Sequence, residues 1–192
     1  MGVCEISNLY PATLIRRQIL KTESSIEYSE IVYDTKISGA QSLFSNKALK
    51  KTGLLLKMLI GHIWVVSRYL YHRPKKIYIA YPGIILASLI CLKPKRLQPE
   101  IYLDSFISIY DTVVHDRALL NKQSVLAKFL WKVERLAMKN SNLVLVDTDE
   151  NIDYYSKIFD MPKAKFTAIP LSIVEPNKPS RAPISELSLI HI

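Results

Sequence analysis

Residues 99–117 read Pro-Glu-Ile-Tyr-Leu-Asp-Ser-Phe-Ile-Ser-Ile-Tyr-Asp-Thr-Val-Val-His-Asp-Arg: a short apolar, β-rich run that passes directly into acids, hydroxyls and one histidine. A run of this kind reads as a buried strand. Its polar groups begin where the strand ends, which is where open α/β sheets hold their ligands. The fold class turns on whether the flanking sequence supplies the other strands and helices of such a sheet.

Downstream it does. Leu126 to Lys139 is amphipathic, with Leu126, Phe129, Leu130, Val133, Leu136 and Ala137 on one side and Lys128, Lys132, Arg135 and Lys139 on the other. Leu143 to Val146 reads as a strand, and Asp147-Thr148-Asp149 carries the side-chain acceptors that cap a helix through Ile158. Phe166 to Ile169 is another strand. Upstream, Ile77 to Tyr81 reads as a strand, Pro82-Gly83 as a turn, and Ile84 to Leu92 as a short apolar helix stopped by Pro94. Strands alternating with helices at this spacing predict right-handed βαβ crossovers and an α/β fold, a Rossmann-like, mostly parallel sheet flanked by helices.

The N-terminal stretch is less regular. Met1 to Ile6 is a weak strand, Ile31 to Tyr33 a short one, and Thr13 to Thr22 a short helix introduced by Pro11. The turn from Asn8 to Thr13 holds no glycine. Leu49 to His72 predicts a long helix with a broad apolar surface and a narrow basic seam of Lys50, Lys57, Gly61, Arg68 and His72. Spanning a bilayer would bury Lys57, His62 and Arg68 at high cost. Two readings remain for this helix: packing on the domain surface, or lying on an anionic membrane with Lys50, Lys57 and Arg68 in contact with it. His62 and His72 are expected at an interface or in solvent. The sequence predicts one domain over residues 1–173, then an irregular tail or linker start over 174–192, where Pro176, Pro179 and Pro183 break the pattern.

Composition is consistent with one core: 192 residues and 49% apolar against 22% charged. Mean hydropathy is +0.11. Lys and Arg number 26 against 17 Asp and Glu, a formal charge of +9, which favours an anionic partner. Nucleic acid is not expected, because no aromatic-basic recognition motif accompanies the charge. Cys91 lies in an apolar run and predicts a reduced buried thiol; with Cys4 far away this points to a cytoplasmic setting. Arg16 and Arg17 interrupt the only early apolar stretch, so no secretory signal is read. The four histidines and two cysteines have no metal-binding spacing.

The order of these segments resembles the N-terminal domain of glycosyltransferases with two Rossmann domains, the GT-B architecture, and within it the retaining family 4 group. The resemblance is carried by residues 101–117, by Glu134-Arg-Leu-Ala-Met-Lys, by Leu143-Val-Leu-Val-Asp-Thr, by Tyr154-Tyr-Ser-Lys-Ile-Phe and by Lys165-Phe-Thr-Ala-Ile-Pro. It implies that this chain is the acceptor-binding half of a hexosyltransferase, truncated before the C-terminal domain that holds the nucleotide-sugar donor, and inactive alone. It also implies a saccharide or lipid-linked acceptor, a peripheral place on the membrane, and no cofactor other than the donor substrate. Where the family carries a histidine after the strand, this chain has Ser105 and Phe106.

Asp104, Ser105 and Ser108 at the strand end, and Asp111, Asp116 and Arg117 in the loop that residues 110–117 are expected to form, are the acceptor-binding candidates, since carboxylates and hydroxyls suit the OH groups of a sugar. The plainer alternative is that Asp104 caps a turn and Asp116 pairs with Arg117 or a lysine. His115 is the catalytic candidate, because histidine is the side chain suited to proton transfer near neutral pH; the alternative is an ordinary surface histidine. Asp147 and Thr148 are read as a helix cap that could also face the cleft, and Gly83 as a turn residue that could let backbone approach a ligand. The rival reading of the whole chain is a non-catalytic accessory module that binds a saccharide or lipid acceptor.

Overall fold

The computed structural model describes residues 1–4, 29–34 and 48–170. The expected helix Thr13–Thr22, the turn Asn8–Thr13, the tail 174–192 and the side chain of Lys50 lie outside the described residues. The strands are β1 (Gly2–Cys4), β2 (Val32–Asp34), β3 (Lys76–Ile79), β4 (Glu100–Asp104), β5 (Leu143–Val146) and β6 (Phe166–Ala168). The helices are α1 (Ala48–His72), α2 (Ile84–Cys91), α3 (residues 109–116, whose last turns widen into π geometry), α4 (Val125–Asn140) and α5 (Asp149–Ile158).

Strands β3-β4-β5-β6 form a parallel sheet in that order, and β1 pairs in parallel with β2. Met1 joins the two sheets: its amine donates to Tyr78 O, and its carbonyl accepts from Ala80 N at 3.0 Å, the bonding pattern of a parallel pair. The edge-to-edge order is therefore β2-β1-β3-β4-β5-β6. The chain steps from β1 to β2 and returns through α1 past β1 to β3, so strand order reverses between β1 and β3. Such a reversal opens a crevice at the carboxyl ends of the strands. The architecture is α/β and Rossmann-like, as the alternation of segments predicts.

The register puts Ile77 beside Ile101, Ile79 beside Leu103, Leu103 beside Val144, and Val144 beside Phe166. These residues share one face and are buried. Successive right-handed crossovers place α2, α4 and α5 over that face. Tyr78, Tyr102 and Asp104 alternate onto the opposite face, where the exposed ion pair Lys76–Glu100 (3.3 Å) also lies.

Four details differ from the sequence reading. Residues 110–117, expected as a loop, are helical through Asp116, because a glutamate on α4 satisfies the first amides of the turn. Helix α4 is rolled away from its expected face: Ala127, Glu134, Ala137 and Met138 are buried, while Leu126, Phe129 and Leu136 face outward. Small alanines let the helix sit close to the sheet, and Glu134 has to reach α3. His62, expected at an interface or in solvent, is buried, and its Nδ1–H donates to Met58 O at 2.7 Å, which satisfies the ring within its own helix. The broad apolar surface of α1 divides: Val65 and Tyr69 face the core, whereas Leu59, Ile63 and Leu70 are exposed.

Candidate functional site

Strand β4 ends on Asp104, which is buried and accepts a hydrogen bond from Tyr78 Oη at 2.7 Å. The tyrosine belongs to the neighbouring strand, so parallel pairing of β3 and β4 brings the two groups together. Ser105 continues the sheet by one bond, its amide donating to Leu145 O at 2.9 Å. Its hydroxyl is buried and has no hydrogen-bond partner among the described residues. A buried hydroxyl without a partner costs about 1–3 kcal/mol, so this atom marks a place where a polar ligand group would be gained rather than exchanged. Phe106 packs edge to face on Tyr81, with ring centroids 5.8 Å apart. An aromatic pair therefore joins the loop after β3 to the loop after β4, next to Asp104 and Ser105.

Gly83 holds the first of these loops close. A Cβ there would fall 2.2 Å from Ile79 Cγ2 and 2.5 Å from Ala80 O. The glycine permits a close approach of backbone to strand, and its carbonyl opens α2 by accepting from Ala87 N at 2.9 Å.

Ser108 is fully committed to structure. Its Oγ accepts from Asp111 N at 3.0 Å and donates to Glu134 Oε2 at 2.6 Å, and its amide donates to Tyr155 Oη at 2.9 Å. Glu134 Oε1 accepts from Ile109 N at 2.6 Å and Tyr110 N at 3.1 Å. One carboxylate from α4 and one serine thus satisfy the opening amides of α3, which four-residue hydrogen bonding leaves unpaired. Burial pushes Glu134 up to about 7, against the hydrogen bonds from Ser108, Tyr110 and Ile109. Burial also raises Tyr155, which keeps its hydroxyl neutral, and lifts Tyr154 to about 12, assisted by its hydrogen bond to Asp111.

The candidates therefore separate into two groups. Asp104 and Ser105 lie at the strand end, and Asp111 is held half-buried by Tyr154 Oη. His115, Asp116 and Arg117 are exposed at the far end of α3, where the His115 ring lies 5.6 Å from that of Tyr110. At the end of β5, Thr148 caps α5, its hydroxyl accepting from Asn151 N at 3.2 Å, and Asp147 accepts from the Asn151 side chain. Lys57 and Arg68 are exposed on α1, with the Arg68 guanidinium 5.6 Å from the centre of the Trp64 ring.

Tyr78, Tyr81, Phe106 and Glu134 are the residues that sequence reasoning did not place in the site. Glu134 carried a signal: it is the only acid of α4, and it falls in line with Ala127, Leu130 and Ala137 on one helical face. Ser108-Ile-Tyr-Asp111 likewise has the hydroxyl-to-acid spacing of a helix start.

No group of three or more His, Cys, Asp or Glu side chains suited to a metal occurs among the described residues. In comparisons with protein-family models, with curated proteins and with solved structures, nothing matches this chain.

Proposed function

We propose that this chain is the acceptor-binding half of a GT-B-type glycosyltransferase, in which a sugar passes from a nucleotide donor to a hydroxyl held at the end of β4. The observation that carries the reading is the buried, unpartnered Ser105 hydroxyl beside Asp104, next to the Tyr81–Phe106 pair. A saccharide offers the matching chemistry: hydroxyls for the serine and carboxylate, and an apolar ring face for the aromatics. The crevice where strand order reverses supports it through the loop after β3, which borders that crevice and carries Tyr81, with β4 the next strand of the sheet.

In this reading Asp104 and Ser105 orient the acceptor. The acceptor oxygen forms its bond to the anomeric carbon as the bond to the donor's phosphate oxygen breaks, and the acceptor's proton passes to an oxygen of the departing diphosphate; His115, exposed at the far end of α3, is not beside Asp104 and Ser105. The donor-binding half supplies the charge stabilisation of the leaving diphosphate.

The test is transfer itself. Protein expressed from the whole reading frame that encodes this chain is incubated with radiolabelled UDP- and GDP-sugars and with glycolipid or polysaccharide acceptors. Labelled acceptor is expected, and Ser105→Ala is expected to raise the acceptor KM about tenfold, the loss of one buried hydrogen bond, with the donor KM unchanged. Glycoside binding without transfer would make the chain an accessory binding module. Absence of both binding and transfer would overturn the reading.

A further inference from the structure

Helices α1, α2 and α4 lie side by side on the sheet: α1 packs on α2, and α2 on α4, where Ser88 Oγ donates to Val133 O at 2.9 Å. Their outward faces are apolar. Leu59 and Ile63 of α1 are 57% and 59% exposed, Leu89 of α2 is 40% exposed, and Phe129 of α4 is 59% exposed.

The order of residues across this layer follows from their contacts. Trp64 touches Tyr33 of β2, on the side of α1 away from α2 (ring centroids 5.9 Å). Lys57 and Arg68 share the stripe of Trp64 at seven- and four-residue spacing, so they form the outer edge. Tyr69 meets Lys93, just past the end of α2, at 3.2 Å, so the opposite side of α1 adjoins α2. On α4, Phe129 and Leu136 share the stripe of Val133, which adjoins α2, while Lys128, Lys132 and Lys139 follow on the side toward Arg135, which bonds Phe159 O after α5 at 2.8 Å. An apolar band thus runs across three helices with cations along both edges. Neither α1 nor α2 contains an acid, and the only acid of α4, Glu134, is buried.

We infer that the outward faces of α1, α2 and α4 form one docking surface for an anionic lipid bilayer. The apolar band enters the interface between headgroups and acyl chains, and Lys57, Arg68, Lys128, Lys132 and Lys139 meet the lipid phosphates on either side. No helix among the described residues is long and apolar enough to cross a membrane, so α1 lies along the surface. The basic seam of α1 is one edge of a face three helices wide. A water-facing protein contact would not need cations on both flanks, whereas a charged leaflet attracts them wherever they lie within a Debye length of it. The inference does not rest on the sugar-transfer reading.

The test is flotation of this chain with vesicles of phosphatidylcholine alone and with about 30% phosphatidylglycerol. Binding to the anionic vesicles is expected to be at least about tenfold stronger and to weaken as salt rises. Ile63→Glu, Leu89→Glu and Phe129→Glu, all at exposed positions, are each expected to lower binding about tenfold or more with unchanged circular dichroism, and the pair Lys57→Gln/Lys132→Gln is expected to lower it on anionic vesicles only. Loss confined to Ile63→Glu would overturn the three-helix surface. Equal binding to both vesicle types, no binding to either, or a dimer in light scattering that the same substitutions dissociate would overturn the bilayer as its occupant.

Discussion

Glu134→Gln separates a buried carboxylate from its geometry. The side chain keeps its length and one carbonyl oxygen for the amides of Ile109 and Tyr110 but loses its proton equilibrium. In the folded chain burial raises the carboxyl from its ordinary 4.5 to about 7. Between those values the folded protein holds a proton that the unfolded chain has released, so wild-type stability falls as pH rises through this window and levels off above it. The shift corresponds to about 3 kcal/mol, a large share of the total for a domain of this size. The variant does not titrate at this position. Urea unfolding followed by far-ultraviolet circular dichroism from pH 4.5 to 8 should show the two proteins similar in acid and diverging with pH, the Gln variant becoming more stable by about 3 kcal/mol at pH 8. Other titrating groups, such as Asp153, lowered chiefly by its hydrogen bond from Lys163, are common to both proteins and cancel in the difference. Parallel stability curves across the window would refute the argument that Glu134 is held protonated by burial.

Two other substitutions test the supports of the strand ends. Gly83→Ala should destabilise by about 1–3 kcal/mol in thermal or urea unfolding, because the added Cβ meets Ile79 and a backbone carbonyl that cannot withdraw. Thr148→Ala should cost about 1 kcal/mol through loss of the α5 cap, and Thr148→Ser should restore most of it; an alanine variant as stable as wild type would show that the cap carries no energy.

The sheet was legible because its strands are buried apolar runs. Ile101, Leu103, Val144 and Val146 pack on the helical layer, and neither burial nor parallel pairing asks more of the sequence than β-rich apolar residues at regular spacing. Helix α3 was not read because its start is held from outside: Glu134 supplies the acceptors for Ile109 and Tyr110 from a different helix, and only the Ser108–Asp111 spacing marks the start locally. The face of α4 was misread for a related reason. Hydropathy assigns Leu126, Phe129 and Leu136 inward, whereas close packing favours Ala127 and Ala137 and the hydrogen-bond demand of α3 draws Glu134 in. Asp104 and Ser105 were legible as the end of β4 because the apolar run stops there, and the structure places both at that strand end. Their neighbours Tyr78 and Tyr81 come from an adjacent strand and its loop, and strand pairing rather than sequence distance brings them close.

The central claim, that the end of β4 receives a saccharide hydroxyl, is tested most directly by titrating the nitrogen-15-labelled chain with methyl glycosides of glucose, galactose, mannose and N-acetylglucosamine while recording amide spectra. The account predicts that at least one glycoside shifts the amides of Ser105, Phe106, Tyr81 and Gly83 together, and that Ser105→Ala weakens the effect. Spectra unchanged by every glycoside, or shifts gathered away from the ends of β3 and β4, would contradict it.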